Sequence, residues 1–359
     1  MMSPTEGPRT ASLIASAGPS IFSPENFRKA IAAGASAIRV SASKYPLDVL
    51  AQKADAVVAA AKELERPVDL LLDLPGSKSR FTNDDFFSLA GVERVRIWYQ
   101  PVPARRDIAV PEIGLTGDDL GAIIEPGDVL IAGDGEDALR VESVADDHCM
   151  AQPLTFGNLG RRKGATVAGK RQSYVSLTES DLEALATIGD TPYSAVVVSF
   201  VEDAKTIEMV RAAMAAGTPT DRQPAVIAKV ETRAGVAATR DIAGASDAVL
   251  LGRGDLLMDC GELDFYDLGK EVLKTCSKAG VPVIVGTQLM PSMSVGWLPN
   301  RSELAYLSHL IEKNVDGLML AFETTVGKQP IRTIALVAEL IERYGGGPTR
   351  PMFPLRYEM

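Results

Sequence analysis

Eight short apolar runs, each about as long as a buried parallel strand, recur along the chain at 13–17, 37–42, 68–72, 195–199, 225–230, 248–251, 282–285 and 317–320. Most of the intervals between them carry helical periodicity. The segment 24–33 opens after Ser23, a residue suited to cap a helix, and closes at Gly34. The segment 45–65 is rich in alanine and ends before Pro67, 202–216 ends at Gly217, and 262–279 ends at Gly280. Residues 301–313 follow Asn300, a second capping candidate, and 331–344 follow Pro330 and run into Gly345. Strand then helix, repeated eight times, specifies an α/β protein. Such regular units favour a closed (β/α)8 TIM barrel over an open doubly wound sheet.

One interval breaks the rhythm. Residues 81–172 hold no long helical pattern, but carry turn signals at Glu125-Pro126-Gly127-Asp128 and Gly133-Asp134-Gly135 and alternating stretches such as 138–144. That is the pattern of a small β-rich domain. The expected organisation is a barrel over 1–80, the β-rich domain over 81–172 inserted after the third strand, the barrel resumed over 173–345, and a tail over 346–359. An insertion in such a loop sits at the end of a barrel that carries active sites, so it is expected to serve as a lid.

Composition narrows the chemistry. Hydrophobic residues make up 46% of the chain, enough for a large core, yet no apolar run is long enough to span a membrane. Residues 1–10 lack the basic-then-apolar layout of a signal peptide. Cys149, Cys260 and Cys276 are odd in number and widely spaced, which fits reduced thiols and a cytoplasmic setting. A net charge of −10 argues against nucleic-acid partners, and no membrane partner is expected. Two histidines, His148 and His309, leave a His-rich metal site or a Ser-His-Asp triad without raw material. His309 reads as an ordinary helix residue and His148 as a surface residue of the insertion.

Barrel strands hand their last residues to the active-site face. Here those ends are polar: Arg39, Ser41 and Ser43 at the second run, Asp73 at the third, Lys229 and Glu231 at the fifth, Arg253, Gly254 and Asp255 after the sixth, Thr287 and Gln288 after the seventh, and Glu323 after the eighth. Any one of them suits a cap or an ion pair equally well. So many charges at one end of a barrel are costly unless they pair or bind something. Glu231 and Asp255, expected on adjacent strands, are hard oxygen donors suited to Mg²⁺ or Mn²⁺. Lys229 lies two residues before Glu231 and so faces the same side of its strand. Gly252-Arg253-Gly254-Asp255 reads as a turn whose amides can approach an anion. The residues by themselves suit a phosphate or carboxylate held with one divalent ion.

The order of these motifs resembles that of the pyruvate kinase family over most of the chain. The likeness is carried by Ala15-Ser16-Ala17-Gly18-Pro19-Ser20, Ala37-Ile38-Arg39-Val40-Ser41 and Asp73-Leu74-Pro75-Gly76-Ser77-Lys78-Ser79-Arg80. After the insertion come Ser199-Phe200-Val201, Ile227-Ala228-Lys229-Val230-Glu231, Gly252-Arg253-Gly254-Asp255-Leu256, Gly286-Thr287-Gln288-Leu289-Met290 and Glu323-Thr324. The insertion resembles the family's lid through Pro126-Gly127-Asp128, Asp134-Gly135 and Arg162-Lys163-Gly164.

The resemblance implies roles. Arg39 matches the arginine that grips the phosphate of phosphoenolpyruvate, and Lys229 the catalytic lysine that neutralises the transferring phosphoryl group and the enolate. Glu231 and Asp255 match the Mg²⁺ or Mn²⁺ ligands, and Thr287 the threonine near the carbon that is protonated. Arg39, Lys229, Gly254, Asp255 and Thr287 would line the substrate site. Pro19, Arg80 and Lys163 match positions that contact ADP or ATP. Ser41, Ser43, Asp73 and Leu74 match the monovalent-cation site, and Lys78 beside them resembles the family type in which an ammonium replaces potassium, so no K⁺ requirement is expected. The chain stops shortly after the eighth helix, so the likeness covers barrel and lid and not the family's carboxy-terminal regulatory domain, and sugar-phosphate allostery through it is not expected.

Departures from the family pattern are specific. Its Asn-Phe-Ser-His-Gly is Ser41-Ala42-Ser43-Lys44-Tyr45 here, and its Ser-Gly-Glu-Thr is Ala321-Phe322-Glu323-Thr324. Val326 replaces a lysine that helps hold ADP. The expected activity is Mg²⁺-dependent phosphoryl transfer between phosphoenolpyruvate and ADP, yielding pyruvate and ATP. The alternative is a diverged phosphoenolpyruvate or 2-oxo acid enzyme with another acceptor, or with enolate-forming lyase or aldolase chemistry. A non-catalytic anion sensor is the remote third reading. A homodimer through the barrel is expected.

Overall fold

The computed structural model describes residues 10–43, 45–103, 110–116, 120–172 and 174–359. The signal-peptide reading of residues 1–9 and the departure at Lys44 therefore lie outside the described residues. The chain forms two compact units, one running to Pro75 and resuming over Ser176–Arg253 and Leu268–Met359, the other comprising Gly76–Val175 and Gly254–Asp267.

The first unit is a barrel. Its strands are β1 (Ser12–Ser16), β2 (Ala37–Ser41), β3 (Asp69–Leu74), β4 (Ala195–Val198), β5 (Ala225–Val230), β6 (Ala248–Gly252), β7 (Val283–Gly286) and β8 (Gly317–Leu320). They close in the order β1-β8-β7-β6-β5-β4-β3-β2, every neighbour parallel. All eight expected runs become strands, because residues buried on both faces leave an extended apolar segment little other use. The register aligns the carboxyl ends: Ser16 opposes Arg39, Ser41 opposes Asp73, and Gly252 opposes Gly286. Inward-facing residues from all eight strands, among them Ile14, Leu71, Val197, Ile227, Leu250 and Met319, fill the barrel as one cluster.

The helices start where their caps allow. Ser23 accepts from the Asn26 amide ahead of Pro24–Ala32, and Glu303 accepts from the Asn300 amide ahead of Arg301–Glu312. The alanine-rich helix begins at Leu47 rather than 45, since Pro46 keeps its predecessor out of helical geometry. Short helices at Glu179–Thr187, Thr239–Ala245, Arg253–Cys260 and Phe322–Thr325 were not expected. Two of them change how the site is read. Asp255 lies in the first turn of Arg253–Cys260, so it is neither on a strand nor in an open turn. Glu323 lies in Phe322–Thr325, past the end of β8.

The tail closes the opposite end. Met352 and Phe353 pack on the interior cluster and donate their amides to Asp69 Oδ2 at 2.6 and 3.2 Å, at the start of β3. Tyr357 donates its hydroxyl to Val68 O at 2.7 Å and accepts from Val68 N at 3.0 Å, while Arg356 donates to the carbonyls of Ile188, Gly189 and Tyr193.

The second unit is β-rich. Its main sheet runs Ala165–Val167, Val129–Ala132, Asp137–Val144, His148–Pro153, Val95–Trp98, Glu112–Thr116, Arg80–Phe81. Phe81, Val95, Ile97, Leu130 and Val141 form its core. Gly127, Gly133 and Gly135 take positive φ at the turns flagged in the sequence. His148 meets Asp147 and the Trp98 ring in this unit, and His309 lies within Arg301–Glu312.

Candidate active site

Within the barrel unit the strand ends assemble two charge pairs. On β2 and β3, Arg39 donates from Nε to Asp73 Oδ2 at 2.6 Å and from Nη1 to Ser16 Oγ at 3.1 Å. The Asp73 side chain is almost wholly buried, so the guanidinium is fixed by a partner that cannot move into water. Ser41 and Ser43 share a hydrogen bond of 2.9 Å nearby in sequence. On β5, Lys229 Nζ lies 3.0 Å from Glu231 Oε2, with side-chain exposures of 14% and 1%. Glu231 Oε1 accepts from the Phe200 amide at 3.0 Å.

Three non-glycine residues at the ends of β4 and β7 adopt left-handed backbone: Phe200 (φ 54°), Thr287 (φ 72°) and Gln288 (φ 50°). Such conformations cost of order 1–3 kcal/mol each and persist only where surrounding contacts impose them. The contacts are present. The Phe200 carbonyl accepts from Ser176 Oγ, and its amide is the one that holds Glu231. The Thr287 carbonyl accepts from Arg253 Nη1 at 3.1 Å, and Arg253 itself stacks over Tyr306. Burial lowers the Arg253 pKa. Glu323, fully buried, accepts from the amides of Met290 at 2.8 Å and Ala321 at 2.9 Å. It pins the loop after β7 to the loop after β8 and is not itself a strand-end acid facing a ligand. Gly252 completes the arrangement: a Cβ there would lie 2.6 Å from Glu231 Oε2 and 3.3 Å from Lys229 Cε.

Within the second unit, Lys78 donates to Asp255, and both side chains are largely buried. Arg80 donates to the Arg162 carbonyl, and Lys163 pairs with Glu136 at 3.2 Å. Burial lowers the Arg80 pKa, an effect opposed by Asp255. Burial raises the Asp134 carboxyl, and Asp255 adds to that rise.

The expected residues thus distribute as follows. Arg39, Asp73, Lys229, Glu231 and Thr287 sit at the carboxyl ends of barrel strands, and Pro19 is exposed in the turn after β1. Gly254, Asp255, Lys78, Arg80 and Lys163 belong to the second unit. The ion-pair partner of Asp73 is Arg39, and that of Lys78 is Asp255. Sequence reasoning missed Ser16 as a partner of Arg39, the Phe200 amide, and the clamping roles of Arg253 and Glu323. No local signal marks a backbone amide as a ligand.

Among the described residues no group of three or more His, Cys, Asp or Glu could hold a metal ion. Two carboxylates are nonetheless a sufficient protein share for Mg²⁺, which keeps several waters and substrate oxygens in its octahedron.

The pyruvate kinase barrel-domain model matches residues 8–334. The chain is 28% identical to a pyruvate kinase of Agrobacterium vitis, covering 93% of this chain and 69% of that protein. It is 29% identical to a pyruvate kinase of Aeropyrum pernix, covering 92% and 70%, and 29% identical to pyruvate kinase 2 of Synechocystis, covering 94% and 57%.

Proposed function

The chain belongs to the pyruvate kinase family, and from that premise we propose that it transfers a phosphoryl group between phosphoenolpyruvate and ADP with Mg²⁺ or Mn²⁺. The observation that carries the reading is the buried Lys229–Glu231 pair on β5, held at 3.0 Å and oriented by the Phe200 amide. Phosphoryl transfer needs positioning and positive charge more than covalent help. Arg39, fixed by Asp73 and Ser16, supplies a rigid donor for a substrate phosphate. Lys229 supplies charge where the phosphoryl group and the enolate oxygen develop negative charge. Thr287, held in a strained backbone, presents its hydroxyl near the carbon to be protonated. Glu231 and Asp255 are the proposed metal ligands, and the bound ion would polarise phosphoryl oxygens and draw substrate together. The Gly254 amide, in the first turn of helix Arg253–Cys260, would assist, and Pro19, Arg80 and Lys163 would meet the nucleotide. The inserted unit would act as the lid.

Coupled detection of ATP from phosphoenolpyruvate, ADP and Mg²⁺ tests the reading. Activity is expected with the natural chain and a loss of at least about a thousandfold in Lys229→Met. A pure, folded protein making no ATP with either metal would refute it. The ammonium of Lys78 is proposed to make K⁺ unnecessary; equal rates in potassium and tetramethylammonium buffers are expected, and a strict potassium requirement would reject that point.

A second reading is favoured by one observation. Phe322 and Val326 are 41% and 48% exposed, where the family has glycine and lysine, and Ala321 offers no hydroxyl for proton relay. A different acceptor, or enolate chemistry on a 2-oxo acid, follows if oxalate and Mg²⁺ bind in calorimetry while ADP does not. A homodimer is proposed as well, supported by the exposed Val295, Trp297 and Leu298 on the barrel unit; a monomer in sedimentation would reject it. No helix among the described residues is long and apolar enough to cross a membrane, which accords with the cytoplasmic setting proposed.

A further inference from the structure

We infer that Lys78 is a tethered cation that competes with the divalent metal for Asp255 and so sets the metal affinity of the protein. The inference rests on the reading of Asp255 as a metal ligand. Within the second unit, the Lys78 ammonium donates to Asp255 Oδ1, with side-chain exposures of 10% and 19%. The end of the lysine runs close over Gly164: a Cβ there would lie 2.6 Å from Lys78 Cε and 3.0 Å from Nζ, so the glycine leaves the ammonium its present room. Charges that act at Asp255 within this unit include Arg80, of the same sign as Lys78, and Asp134, of the opposite sign.

The direction of the effect follows from charge alone. If Lys78 stays on Asp255 when the metal binds, two cations share one carboxylate and repel across a partly buried site. If Lys78 swings away, its charge-assisted hydrogen bond is lost. Either route weakens metal binding relative to a neutral side chain at position 78. A lysine suits such a device better than an arginine, because its single point charge on a four-carbon stem can leave without breaking a fork of bonds.

The test is a titration of Mn²⁺ into the full chain, with free Mn²⁺ followed by electron paramagnetic resonance and no substrate present. Lys78→Gln and Lys78→Met are expected to tighten Mn²⁺ binding roughly tenfold, the scale of one opposite or like charge acting at hydrogen-bonding distance. Lys78→Arg, which keeps the charge, is expected to bind Mn²⁺ no more tightly than the natural chain. Circular dichroism identifies which variants are folded, and either neutral variant suffices. Unchanged or weaker binding in a folded neutral variant, with Glu231→Gln still abolishing binding, overturns the competition. A natural chain that binds no Mn²⁺, or that binds it equally in Glu231→Gln, overturns the metal-site reading and this inference with it.

Discussion

Gly252 and Glu231 compete for one volume: a methyl group on Gly252 would stand 2.6 Å from Glu231 Oε2, closer than any relaxed carbon–oxygen contact. The neighbour that would have to yield is a carboxylate already tied to Lys229 and to the Phe200 amide. Gly252→Ala is therefore expected to leave the barrel folded, at a cost of about 1–3 kcal/mol for overpacking. It should displace the carboxylate that pairs with Lys229 and is the proposed metal ligand on β5. A fall of at least about a hundredfold in kcat, with weaker Mn²⁺ binding, is the expected outcome of steady-state kinetics and metal titration. Unchanged kinetics would mean that the Lys229–Glu231 geometry is not limiting.

Arg39 makes two directed bonds from different nitrogens, Nε to Asp73 and Nη1 to Ser16. A lysine has one donor group at the end of its stem and cannot reproduce both. Arg39→Lys is expected to keep the positive charge and lose its direction, raising KM for phosphoenolpyruvate by about tenfold or more while leaving that for ADP near its original value. A parallel rise in both constants would count against Arg39 as a contact to the acid's phosphate.

The far end of the barrel carries a titration of its own. Burial pushes the Asp69 carboxyl from 3.8 up to about 6, against the opposing bonds from the Met352 and Phe353 amides and from Ser194. Tyr357, on the same tail, is the other titratable group felt there, and burial raises its phenol too. Because the folded value exceeds the unfolded one, the stability contributed by protonated Asp69 is full below about pH 4 and disappears as pH rises through about 6, a change of about 3 kcal/mol. Asp69→Asn keeps an acceptor oxygen for the two amides and carries no charge. The Tm of the natural chain is expected to fall relative to that of Asp69→Asn between pH 4.5 and 7.5; parallel curves would show that Asp69 does not titrate in this range.

How far the sequence reveals this molecule depends on which interaction is asked about. The strands were legible because runs such as 248–251 and 317–320 are apolar on both faces and recur at strand length, the pattern of a parallel sheet covered on both sides. Arg39, Lys229 and Glu231 were legible because strand alternation and motif order place them at one end of the barrel. Asp255 was placed on a strand, since nothing in Gly252-Arg253-Gly254-Asp255 announces that the helix begins at once. Helix Glu179–Thr187 did carry a signal, Thr178 with Asp181 three residues on, and both bonds of that capping box form. The tail's grip on Asp69 and Val68 was not legible, because it joins residues far apart in sequence through backbone amides and one phenol.

Glu323 offers the sharpest separation of scaffold from chemistry. Its two oxygens each take one backbone amide, Met290 beyond β7 and Ala321 beyond β8, and no part of it is exposed. The loop it anchors begins with the left-handed pair Thr287 and Gln288, whose carbonyls also accept from Arg253 Nη1. Glu323→Gln is nearly isosteric but turns one acceptor into a donor facing an amide, at a cost of about 1–3 kcal/mol for the unsatisfied groups. Relaxation of the strained turn is then expected to move Thr287 and lower kcat by about tenfold. Mn²⁺ binding should hold, since Glu231, the proposed ligand, keeps its partners Lys229 and the Phe200 amide. Kinetics and metal titration on the same preparation read both quantities. A loss of metal binding in step with kcat would place Glu323 in the metal site and remove the distinction.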